Sequence, residues 1–329
     1  MQERSAAPVV AVVGEVVADA VLPPDGIADG SARLTVHPGG GPANTALGLA
    51  RLGSTARFAG RLSTGSLGRL CRDRLVASGV DLSVSVDVPE PATLAIARLS
   101  GSGAAQYEFY TDGTADWGWT AAELARVLDP TVGPTPVAVH TGSLALALEP
   151  SGPRIERLLA SARASSTTSI DPNLRTLLVP IGRYRAAIER WAALADIVRL
   201  SGDDLAELWP GTDPRTAATK LHACGATLVV ITLGGDGVVA SLRTPDGDET
   251  VEVPPVPVKL VDTVGAGDSF QAGLLHHLAA AGVLGGRLGA LDSPTLTGAL
   301  EFASRVAAVT CSRPGADPPW ARELAASPL

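Results

Sequence analysis

"VDTVGAGDSFQAGLLHHLAAAG" (261–282) sets two glycines around an alanine, puts an aspartate directly behind them, and continues as an amphipathic run. A helix N-terminus presents unpaired N–H groups and a partial positive charge. Gly265 and Gly267 let the backbone turn tightly and approach a ligand without a Cβ in the way. Gly265, Ala266 and Gly267 can therefore aim several N–H donors at one spot, an anion hole, with Asp268 beside it in the first turn. An acid next to an anion hole is suited to taking a proton from a hydroxyl while charge builds on a nearby phosphoryl group. The competing reading is an acid that merely favours the helix dipole. A dinucleotide fingerprint is excluded, because Phe270 stands where G-x-G-x-x-G needs its last small residue.

Outward from this stretch, apolar β runs alternate with helical patterns. "VVAVVG" (9–14), "PVAVHTG" (136–142), "TSIDPN" (168–173), "ADIVRLS" (195–201) and "ATLVVITLGG" (226–235) read as buried strands. "ANTALGLARLG" (43–53) and "SLGRLCRDRLVASGV" (66–80) read as helices. Such alternation predicts a mostly parallel sheet covered on both faces, with function at the carboxyl ends of its strands. One region breaks the rule. "TLAIARLSGSGAAQYEFYTDG" (93–113) alternates in two halves around a Gly-Ser-Gly turn and reads as a β-hairpin. With residues around 15–36 it predicts a small sheet projecting as a lid.

Composition narrows the function classes. The chain has 329 residues, 46% of them apolar, with no run approaching a membrane span and no signal-peptide pattern at the start, so a cytoplasmic protein is expected. Cys71, Cys224 and Cys311 are few and far apart, which fits neither a disulfide framework nor a zinc knuckle. A net charge of −8 without a basic stripe argues against nucleic acid. The two lysines, Lys220 and Lys259, do not follow glycine, so a Walker-A lysine and a protein-kinase lysine are both absent.

"VDTVGAGDSFQAGLL" resembles the C-terminal signature of the ribokinase-like (PfkB) carbohydrate kinase family, and "HPGGGPANTALGLARLGSTARFAGRL" (37–62) resembles its N-terminal signature. "GEVVAD" (14–19), "DPNLR" (171–175), "TLGGDG" (232–237) and "TCSRPGA" (310–316) follow the same order, so the likeness covers roughly residues 9 to 320. It implies a ribokinase-like three-layer αβα sandwich, a mainly parallel central sheet and a small β-sheet lid, with residues 1–329 as one such domain. The implied reaction moves the γ-phosphoryl group of ATP to a sugar hydroxyl, with Asp268 as base and Gly265, Ala266 and Gly267 as the anion hole.

The same resemblance assigns further residues. Asp19, Gly39, Gly40, Gly41, Asn44 and Arg175 would bind the substrate, although Asp19 can also be a loop acid and Asn44 a helix cap. Three successive glycines without a ligand carry an entropic penalty, which favours the binding reading. Asp171, Asn173 and Arg175 would lie near the phosphoryl path, Arg175 offsetting charge, with Asn173 toward ATP. Ser201 and Asp204 stand where relatives carry Asn-x-x-Glu; Ser201 would face ATP and Asp204 would reach Mg2+ through water. Thr232, Gly234, Gly237 and Gly267 would also contact ATP. Asp262, Val264 and Gly315 match a monovalent-cation site, K+ by expectation, held mostly through carbonyls. "STGSLG" (63–68) keeps only Gly68 of the usual Gly-x-Asp-x-x-Gly, which puts the helix cap there in question.

Similarity is strongest to fructokinases. A 2-keto-3-deoxygluconate kinase is the alternative, with Tyr107, Tyr110 and Arg98 as acid-pocket candidates. A nucleoside kinase fits poorly, since only 4% of the residues are aromatic. A catalytically silent sugar-binding protein and a nicotinamide oxidoreductase are the readings from other classes. Pairing of two copies through the lid is expected from its open edges.

Overall fold

A computed structural model describes residues 7–99 and 105–326. Twelve strands organise it: β1 (Val9–Val13), β2 (Val17–Leu22), β3 (Thr35–Gly39), β4 (Thr55–Ala59), β5 (Thr93–Leu99), β6 (Ala105–Tyr110), β7 (Ala138–Gly142), β8 (Thr167–Asp171), β9 (Ile197–Ser201), β10 (Leu228–Thr232), β11 (Val238–Thr244) and β12 (Gly247–Val253). Eight form the central sheet in the order β12-β11-β10-β9-β8-β7-β1-β4. From β10 through β4 all pairings are parallel, and β11 and β12 close the far edge antiparallel. Strands β1, β7 and β8 are buried at every residue. That explains why β1 reads as a continuous rather than an alternating apolar run, since helices cover both faces.

The helices are α1 (Gly41–Arg51), α2 (Ser66–Ala77), α3 (Ser151–Ala162), α4 (Ile181–Leu194), α5 (Gly202–Leu208), α6 (Pro214–Cys224), α7 (Ala266–Ala280) and α8 (Ser293–Cys311), with shorter turns between them. On one face α1, α2, α7 and α8 bury Leu47, Leu49, Leu274 and Leu300 against Val10 and Val12. On the other, α3 to α6 bury Ile155, Ile188, Trp191 and Leu205 against Val13 and Val139. The result is the three-layer αβα sandwich expected from the alternation.

The lid is a separate four-stranded sheet, β6-β5-β2-β3, in which β2 pairs parallel to β5 and antiparallel to β3. Its last strand runs to Gly39 rather than ending near 36, so the glycine loop starts inside the lid. Pro38 is compatible with this because β3 is an edge strand. The hairpin of β5 and β6 is antiparallel as expected, and its Gly-Ser-Gly turn lies outside the described residues. The apolar run 226–235 is a strand only as far as Thr232; Gly234–Asp236 form a helical turn leading into β11. Among the described residues no helix is long and apolar enough to cross a membrane.

Candidate functional site

The first turn of α7 sits at the carboxyl end of the sheet. Gly265 is its N-cap with φ +75°, a left-handed conformation that favours glycine. Two of the expected anion-hole features have a more particular origin than open space for a ligand. The Ala266 N–H turns back to donate to the Thr263 carbonyl at 3.2 Å. A Cβ on Gly267 would lie 2.6 Å from Nη1 of Arg199, so that space belongs to a side chain of this protein.

Asp268 is buried in that first turn, and its carboxylate accepts a 2.9 Å hydrogen bond from Nδ2 of Asn44. Asn44 thus joins α1 to α7 rather than capping its own helix, whose N-cap is Gly40. Burial pushes the Asp268 carboxyl up to about 6, and the nearby Asp171 charge adds to this, while Asn44, Arg175 and Arg199 pull the other way. A Cβ on Gly41 would meet Asn173 Nδ2 at 3.0 Å, Asp268 Oδ1 at 3.2 Å and Ser143 at 3.6 Å. The glycine loop, the end of β8 and the start of α7 therefore converge on one point. Asn173 and Ser143 both adopt left-handed backbone there, φ +42° and +52°. Non-glycine residues in that region cluster at functional sites because the surroundings must hold them.

Asp19 on β2 faces the same space from the lid. Its carboxylate packs against the backbone of Gly39, where any Cβ would collide with it. Burial raises its carboxyl to about 6, and the Arg175 charge opposes the shift. Arg175 is exposed and bonds the Asn173 side chain at 2.6 Å, and its charge is felt by both Asp19 and Asp268.

Asp171 ends β8 and pairs with Arg199 of β9 at 2.8 Å, both side chains being buried. Arg199 also donates to Thr232 Oγ1, which ties β10 to the pair. Both oxygens of Asp204 are engaged within the protein. Its Oδ1 accepts the Leu174 N–H at 2.9 Å, and its Oδ2 accepts the Ser201 N–H and hydroxyl. Ser201 and Asp204 are the capping box of α5. Gly234 and Gly237 belong to the turn after β10, both at positive φ. The Asp262 carboxylate accepts the N–H groups of Val264 at 3.0 Å and Gly315 at 2.7 Å, joining two distant loops at the entrance to α7. Leu260, Val261 and Val264 are exposed beside it. Gly68 packs against Ser63, and α2 begins at N-cap Gly65 with no side-chain cap.

Two groups at the site go unnoticed when the sequence is read alone. Arg199 has a visible signal, a charge inside the apolar run "DIVRL". Asp116 has none: its carboxylate accepts the Val16 N–H at 2.9 Å and the Thr93 hydroxyl at 2.6 Å, fastening the roots of lid strands β2 and β5 to one buried acid. Burial lifts Asp116 to about 6 and its neighbour Glu15 to about 7.

Residues 8–322 match the pfkB family of carbohydrate kinases. The chain is 37% identical to a fructokinase of Rhizobium leguminosarum bv. trifolii, over 76% of this chain and 74% of that protein. It superposes on the fructokinase of Xylella fastidiosa with bound ATP at a TM-score of 0.81 and 25% identity, covering 97% of both chains. The fructokinase of Vibrio cholerae O395, bound to fructose, ADP and calcium, gives a TM-score of 0.78 at 25% identity over 95% of both chains.

Proposed function

The chain belongs to the pfkB family of carbohydrate kinases, and from that premise we propose that it is a fructokinase, transferring the γ-phosphoryl group of ATP to a hydroxyl of fructose. The observation that carries the reading is Asp268. It is buried at the mouth of α7, held by Asn44 of the glycine-loop helix and raised to about 6, so it is ionised at neutral pH yet basic enough to take a hydroxyl proton. Asp19, the Gly39–Gly41 loop and Asn44 would hold the sugar, Asp19 and Gly39 from the lid strands β2 and β3 and Asn44 from α1. The first turn of α7 and Arg175 would meet the phosphoryl charge, with Asn173, Ser201 and Thr232 toward ATP.

Magnesium fits the site through Asp171, whose Oδ1 is buried without a hydrogen-bond partner, better than through Asp204, whose oxygens are both engaged. When bound, the metal supplies charge neutralisation for the phosphates. Potassium at Asp262, Val264 and Gly315 would rest on main-chain carbonyls, since among the described residues no three His, Cys, Asp or Glu side chains converge for a metal. Pairing of two copies through the lid draws on its outer strand β6, where Tyr107 and Tyr110 are exposed. A cytoplasmic location completes the reading.

The test is ADP release with ATP and magnesium against fructose, other hexoses, 2-keto-3-deoxygluconate and nucleosides. Turnover fastest with fructose is the expected result. Preference for the keto-deoxy acid would keep the mechanism and replace the substrate, and no ADP release with any acceptor would refute the kinase.

A further inference from the structure

Arg199 is an unusual occupant of its strand. It lies in β9 between buried Val198 and Leu200, where an apolar residue would be the ordinary choice. A buried ion pair is a poor source of net stability against well-packed apolar side chains. This pair is also incompletely satisfied, because Arg199 Nε and Asp171 Oδ1 are both buried without hydrogen-bond partners. A guanidinium stays protonated in proteins, so Arg199 brings a permanent charge into the strand.

Its side-chain hydrogen bonds go to strand ends at the site. Nη1 bonds Asp171 at the tip of β8, Nη2 bonds Thr232 at the tip of β10, and the guanidinium lies against Gly267 in the first turn of α7. We infer that Arg199 is a positioning residue for phosphoryl transfer: through Asp171, Thr232 and Gly267 it locks two strand ends and the first turn of α7 into one rigid frame, and supplies that frame with a fixed positive charge. The inference rests on the kinase reading. Phosphoryl transfer is catalysed mainly by positioning and preorganised charge, so a frame of this kind acts on the transition state more than on sugar binding. Of the two lysines, Lys220 packs over Trp209, and Lys259 is exposed in the loop between β12 and α7.

The experiment compares wild type with Arg199→Met, Arg199→Lys and Thr232→Val, reading kcat, KM for fructose and ATP, and thermal unfolding. Arg199→Met is expected to lower kcat by about 100-fold or more while leaving KM for fructose within about threefold. Arg199→Lys keeps the charge but loses the planar fork, and is expected to recover about tenfold of the loss. Thr232→Val removes one anchor without changing charge, and is expected to lower kcat by about three- to tenfold. If Arg199→Met does not fold, Thr232→Val and Arg199→Lys carry the test. A folded Arg199→Met with kcat within threefold of wild type overturns the inference, as does an Arg199→Lys no better than Met, or a Thr232→Val without effect. Wild type inactive with every acceptor would instead overturn the kinase reading and take the inference with it.

Discussion

Strand β8 has a buried acid beside each end, and the two are held in opposite ways. At its start, Asp196 accepts the Thr168 N–H at 2.8 Å and the Thr168 hydroxyl at 2.9 Å, with Arg287 at 3.2 Å and Arg163 at 3.8 Å from its other oxygen. At its finish, Asp268 accepts one side-chain hydrogen bond from Asn44 and faces the like charge of Asp171. Burial raises both carboxyls, but the free oxygen of Asp196, which accepts no hydrogen bond, faces two cations, whereas Asp268 faces a like charge. On the proposed reading, the acid tied to the backbone of β8 serves the fold and the acid held by a single amide serves the chemistry. This is the division expected of a parallel sheet whose site lies at the strands' carboxyl ends.

The strongest way to break that contrast is Asp268→Asn. On the proposed reading Asp268 is the base, and its loss is expected to lower kcat by about 100-fold or more. In wild type, kcat/KM should fall as pH drops below about 6, where Asp268 takes up its proton. Stability should move the other way. The folded value lies above the ordinary 3.8, so ionising Asp268 in the fold carries a penalty that grows between pH 4 and 6 and is full above about 6. The asparagine variant escapes it, and at pH 8 should melt a few degrees above wild type, about 2–5 °C, with the difference vanishing near pH 4. A variant that is inactive and also less stable at pH 8 would place Asp268 among the structural acids.

Gly267→Ala should have the next largest effect. The new methyl would stand 2.6 Å from a guanidinium that Asp171 and Thr232 hold in place, so either α7 or Arg199 must move. A displacement of this order is expected to lower kcat by about 10- to 100-fold. Steady-state rates within twofold of wild type would show that the first turn of α7 tolerates movement.

The sequence displayed the layers of this fold because burial on both faces writes strands as unbroken apolar runs, as in "VVAVV" and "LVVIT". The lid was visible for the opposite reason, since a sheet with one open face alternates. Asp268 and Gly265 were legible because a helix start is a local event. Arg199 against Gly267 and Asn44 against Asp268 were not, because they join residues dozens to hundreds of positions apart. Asp204 shows the limit from another side: in sequence it stands where relatives carry a glutamate toward the metal, and in space it is the cap of α5.

Asp196→Asn is the smallest effect and the control for the other two. The amide can still accept from the Thr168 N–H, but its Nδ2 can turn toward Arg287 and Arg163, which lose their counter-charge. Arg163 and Arg287 are partly exposed, so the cost falls on the buried amide, whose N–H groups meet guanidinium donors with no acceptor; net of the relief from no longer ionising a buried carboxyl, a loss of about 1–3 °C in melting temperature is expected. The rate per folded molecule should stay within twofold, because Asp196 precedes β9 and sits a full strand length from Asp268. Asp268→Asn would then be stable and inactive, and Asp196→Asn less stable and active. If Asp196→Asn instead lowered kcat without lowering the melting temperature, the amino end of the sheet would be coupled to the chemistry, and the contrast between the two ends of β8 would not describe how this protein divides its polar groups.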